Sequence, residues 1–160
     1  MKFNLGSTGA VSGQASVMIK TDSKDLFSFI AEQFFINYPT WATEVVEIER
    51  LEGEAVFIGA KGRQVRKDNE ALTESIFEIV EYVPCSLFAL KGLDAPYKQT
   101  YMIEIQDIGR EAKLTFRFDL LEIEIYMRPF EKLIRVAIED GAETAVENIK
   151  NLITKKSLGI

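Results

Sequence analysis

The 160-residue sequence contains no histidine. That absence removes imidazole-based metal sites, Ser-His-Asp and Cys-His catalysis, and the usual general base near neutral pH. Proton transfer would fall to Asp, Glu, Tyr, Lys, Arg or the single cysteine, Cys85. One thiol cannot make an intramolecular disulfide, so the fold is expected to stand without covalent cross-links, as cytosolic proteins do. No apolar run approaches the ~18 residues of a membrane-spanning helix. The opening MKFNLGSTGAVSGQ has only short apolar pieces, interrupted by Gly6, Ser7, Thr8 and Gly9, and does not read as a secretory signal. A cytoplasmic protein without a transmembrane segment is therefore expected. Positive charge is also scarce: 19 Lys and Arg stand against 25 Asp and Glu, a net charge of −6. This counts against nucleic acid as a partner, since that affinity comes mainly from cations displacing condensed counterions. The one basic cluster, Lys61, Arg63, Arg66 and Lys67, is read as a solvated turn between strands.

What remains is an ordinary globular balance, 47% hydrophobic and 28% charged, with length for one domain and a sizeable core. Residues 1–13, rich in Gly, Ser and Thr, read as a flexible arm, and 14–156 as the domain. Ala15, Val17 and Ile19 alternate as in a strand. Thr21, Asp22 and Ser23 are N-cap types, followed by a short helical face of Leu26, Phe27, Phe29, Ile30 and Phe34. That helix is expected to end near Asn37, with Pro39 forcing a turn. Strands are then read over 43–50, 55–61, 70–82 and 86–90, with Gly59 marking a bend in the second. Two clear alternations follow, Tyr97-Gln99-Tyr101-Ile103-Ile105 and Leu114-Phe116-Phe118-Leu120. Short turns between such runs imply an antiparallel meander. From Pro129 the period changes: Phe130, Leu133, Ile134, Ala137, Ile138, Gly141, Ala145, Ile149 and Leu152 recur at three and four. A helix from Pro129 to Lys155 would run ~40 Å, long enough to cross a sheet.

Three segments, YPTWATEVVEIERL, EIVEYVPCSLFAL and the final amphipathic helix, resemble in this order the START-like superfamily, also called SRPBCC. Within it the chain is similar to the polyketide cyclase/dehydrase-like and coenzyme-Q-binding-like members. The resemblance implies an α+β helix-grip fold: a curved seven-stranded antiparallel sheet wrapped around a long C-terminal helix, with short helices between strands 1 and 2. It also implies an apolar cavity, used by relatives for lipids, sterols, quinones or polyketides, and no shared catalytic set or cofactor.

Aromatic residues are plentiful, 11 Phe, 5 Tyr and 1 Trp. Most are expected to fill the core. A sheet curved around one helix also leaves space that rings can line. Parity and helical phase point Tyr101, Ile103, Phe116, Phe118, Phe130, Ile134 and Ile138 inward, with Phe57 and Phe88 on strands of less certain facing. Trp41 is expected near one end of the cavity. Gly141, mid-helix on the apolar stripe, either packs closely, kinks the helix or makes room for a ligand. Glu74 and Glu78 would be buried acids if their face were internal, and Arg63 or Arg117 could anchor an acidic head group. Three functions fit this pattern: binding, transport or sequestration of a small hydrophobic ligand; a cyclase or dehydratase using the same cavity; or a co-chaperone-like interaction module. A homo-oligomer or protein partner stays open.

Overall fold

The computed structural model describes residues 11–53, 55–157 and 159. The first alternation forms β1, Val11–Ile19. It starts three residues earlier than the sequence suggests, so positions 11–13 belong to the sheet; the rest of the expected arm lies outside the described residues. Gly13 is there for a close crossing rather than a loop. A Cβ on it would come within 2.9 Å of Ile138 Cγ2 and Glu139 Cγ on the C-terminal helix.

After β1 come α1, Ser23–Phe27, a π-helical turn, Ser28–Glu32, and α2, Phe34–Trp41. Asp22 caps α1, its carboxylate accepting from the Lys24 amide at 2.9 Å. The expected stop at Asn37 is corrected here: α2 runs through Pro39 to Trp41. An interior proline costs about 3 kcal/mol. Burying Phe34, Tyr38 and Trp41, at i, i+4 and i+7 and at most 2% exposed, returns about 1.5–3 kcal/mol for each large side chain. Tertiary burial therefore outweighs the local rule.

The remaining strands are β2, Val45–Arg50; β3, Lys61–Asp68; β4, Ala71–Val83; β5, Leu87–Gly92; β6, Tyr97–Asp107; and β7, Glu111–Leu120. All neighbours pair antiparallel in one sheet of order β1-β7-β6-β5-β4-β3-β2. Register shifts in the β2/β3, β4/β5 and β6/β7 pairs mark bulges, which bend strands and increase twist.

Two expectations fail around β3. Residues 55–60 form no strand, because the consecutive apolar Val56, Phe57 and Ile58 do not alternate and Gly59 sits at φ +96° in a turn. The basic segment assigned to a solvated turn is itself β3. Its inward positions include Gly62 and Gln64, while outward Arg63 pairs with Glu47, Glu49 and Glu74. The parity question in β4 resolves as well: Ser75, Phe77 and Ile79 are buried, and Glu74 and Glu78 lie on the opposite face. Neither is a buried acid. Arg117 is likewise outward, bonded to Asp119 and Ser12.

A 3-10 segment, Ile125–Phe130, leads into α3, Glu131–Ser157. From Ala142 onward α3 turns Ala142, Val146, Ile149 and Ile153 into the core. Asn148 Nδ2 donates to the Trp41 carbonyl at 3.0 Å, tying α3 to the end of α2.

Candidate functional site

The N-terminal half of α3 crosses β1 closely at Gly13 but stands away from the rings of β6 and β7. Between it and the concave face lies a cavity of about 550 Å³. Its helix wall is made of small and aliphatic residues, Ile134, Ala137, Ile138, Gly141, Ala142 and Ala145; its sheet wall carries Tyr101, Phe116 and Phe118, and α2 adds Tyr38 and Trp41. The cavity exists because Gly and Ala on α3 face rings on β6 and β7 without reaching them. An added Cβ at Gly141 would meet nothing within 4 Å, so close packing does not explain that glycine.

Of the residues proposed from sequence, the structure brings seven to the cavity: Trp41, Tyr101, Phe116, Phe118, Ile134, Ile138 and Gly141. Phe88 and Ile103 are buried in the packed core instead. Phe57 and Phe130 are about half exposed; the first lies in the irregular connection before β3, the second just ahead of α3, outside the lining. Trp41 is also deeper than expected. It packs edge-on against Phe34, Tyr38 and Tyr101 rather than guarding an end.

One side of the cavity is polar, and periodicity alone did not point there. Tyr38 Oη donates to Gln64 Oε1 at 3.1 Å and accepts from Gln99 Nε2 at 3.1 Å. Tyr101 Oη donates to Gln99 Oε1 and accepts from Trp41 Nε1, both at 3.2 Å. Gln64 Nε2 continues to Tyr97 Oη at 2.9 Å, and Tyr97 meets Ser75 Oγ at 2.8 Å. Nearer solvent, Arg66 pairs with Glu44 at 2.7 Å and reaches Tyr38 Oη at 3.5 Å, with Asp68 beside them on the lining. The signal in the sequence was Gln99, a polar residue in step with Tyr97, Tyr101 and Ile103 on an otherwise apolar face.

Burial sets the protonation of this cluster. It pushes the Tyr38 phenol up to about 12, against the opposing pull of Arg66. Tyr101 is raised as well, by burial and then by Tyr38. Both stay neutral near pH 7, as hydrogen-bonding groups and not as bases. Burial pulls the Arg66 guanidinium down, but the Glu44 and Asp68 carboxylates beside it hold the charge. After the bonds above, Gln99 keeps one N–H and Tyr101 one lone pair, and the Arg66 fork has donors to spare. The cavity thus offers aromatic and aliphatic walls with donors and acceptors on one side.

No protein-family model and no curated protein matches the sequence. Solved structures match the architecture. An aromatase/cyclase, Zhui, from Streptomyces sp. R1128 is 8% identical with a TM-score of 0.74, the match covering 92% of this chain and 96% of that one. A major latex-like protein from Panax ginseng is 12% identical with a TM-score of 0.68, covering 89% of this chain and 96% of that one. TTHA0849 from Thermus thermophilus is 15% identical with a TM-score of 0.69, covering 91% of this chain and 99% of that one. Identities this low speak to fold alone. The sheet order, the gripped helix and these superpositions together make the fold of this chain the START-like, or SRPBCC, helix-grip fold.

Proposed function

We propose that the chain binds a small amphipathic molecule in the cavity between α3 and the sheet, for transport or sequestration. The observation that carries this reading is a cavity of about 550 Å³, inside the range of small-molecule sites. Rings and aliphatic side chains would hold the apolar body, and Gln99, Tyr101 and Arg66 would receive an oxygen-bearing end. The sole tryptophan lines the cavity, so its fluorescence reports occupancy directly. Titration with a panel of fatty acids, quinones and polycyclic phenols, alongside native mass spectrometry of the purified protein, is expected to give saturable changes and a co-purifying mass. Absence of both across the panel sinks the proposal.

A cyclase or dehydratase is the second reading, favoured by the Glu44–Arg66 pair and Asp68 reaching the same cavity. With the phenols held neutral, a carboxylate would have to take the proton. Glu44→Gln separates the readings: turnover would fall while binding persists, whereas a pure carrier shows no turnover to lose.

A further inference from the structure

A second feature borders the cavity without belonging to its wall. Ile125, Tyr126, Phe130, Leu133 and Val136 are 49 to 80% exposed, on the 3-10 segment and the first turns of α3. Phe130 lies about one turn ahead of Ile134 in the chain and Leu133 one turn ahead of Ala137, so this stripe continues the helix wall of the cavity outward onto the surface. Asp68 also lines the cavity, at the β3–β4 hairpin, where Leu72 pairs opposite Lys67 and is exposed.

Charge at this place runs against the chain as a whole. From Ile125 to Ile138 there are three cations and one carboxylate, set between Glu122 and Glu124 on one side and Glu139 and Asp140 on the other, in a protein of net charge −6. Arg135 pairs with Glu131, while Arg128 and Lys132 have no salt-bridge partner among the described residues. Cations at a helix start oppose the helix dipole, which favours acids there. Exposed aromatic and aliphatic side chains interleaved with unpaired cations are the composition of a helix that lies in a membrane interface.

We infer that the mouth of the cavity docks on an anionic bilayer surface, with Phe130, Leu133 and their apolar neighbours inserted and Arg128 and Lys132 on the lipid phosphates. Docked this way the helix lies on the membrane and does not cross it; no helix among the described residues is long and apolar enough to cross one. The inference stands on the surface alone, whatever the cavity holds.

Sedimentation with vesicles of mixed phosphatidylcholine and phosphatidylglycerol, and of phosphatidylcholine alone, tests it on the full chain. Binding is expected to the anionic vesicles, weakened by salt. Arg128→Ala with Lys132→Ala should lower it about fivefold per cation removed. Phe130→Ser with Leu133→Ser should lower it on the order of tenfold or more. These side chains are exposed, so thermal melts should be unchanged, and Trp41 titration with anilinonaphthalene sulfonate should report the cavity as before. No binding to anionic vesicles, or variants that bind like the parent, overturns the inference. So does a dimer that Phe130→Ser with Leu133→Ser dissociates without any vesicle binding, since a second copy then covers the stripe.

Discussion

Gly141 gives the sharpest test of whether the cavity is a site, because one position reads stability and occupancy separately. It lies within α3 and on the cavity lining, and an added Cβ would find open space. Gly141→Ala should therefore gain helix propensity without a clash, about 1 kcal/mol. For a chain of this size that raises the melting temperature by roughly 2–4 °C. Alanine adds one methyl group to a cavity of about 550 Å³, so binding should survive. Gly141→Phe should keep part of the helix gain while placing a ring in the cavity. Affinity for any cavity-sized probe should then fall at least ~tenfold, about 1.4 kcal/mol. Differential scanning calorimetry and Trp41 fluorescence titration measure the two effects. A lower melting temperature for Gly141→Ala would show packing or strain that the open surroundings do not account for. Undiminished binding by a folded Gly141→Phe protein would place the ligand elsewhere.

Trp41→Ala should cost about 3–5 kcal/mol, because the side chain is 2% exposed and packed among four rings; an unchanged urea midpoint refutes its place in the core. Gly13→Val should destabilise by about 1–3 kcal/mol by pushing α3 off β1 at Ile138 and Glu139, and a neutral effect in the same denaturation would mean that the crossing is looser than its geometry. Alkaline stability carries a definite sign. The folded Tyr38 value, about 12, lies above its ordinary value of 10.0, so its contribution is complete below pH ~10 and is lost as pH rises through about 12. Two pH units correspond to about 2–3 kcal/mol for Tyr38, and Tyr101 adds in the same direction. Melting temperatures should fall steeply over that window, less so in Tyr38→Phe; a flat profile argues against burial of the phenol.

Local period was enough for the elements whose burial is one-sided. The alternations of β6 and β7 and the helical stripe of α3 place Tyr101, Phe116, Phe118, Ile134, Ile138 and Gly141 on the cavity, because a side chain's face follows from its position in a regular element. The same rule misplaced Phe130, whose phase is right but whose position precedes the part of α3 that meets the sheet. β3 was hidden because its inward face holds Gly62 and Gln64 while its outward face holds cations balanced by Glu47, Glu49 and Glu74 from neighbouring strands. Pro39 signals a helix end by local preference, but what holds α2 together is the burial of its aromatic face.

By itself, then, the sequence determined the order of elements apart from β3, the phase of the long helix and the exclusion of histidine chemistry, all properties of composition and short-range spacing. Only the tertiary structure decided that Tyr38, Gln64, Gln99, Tyr101 and Trp41 share one buried network, since its longer links join residues 26 to 61 apart in the chain. Those groups can be buried only because each supplies another's missing hydrogen bond. That condition is a property of the folded pair and appears in neither residue alone.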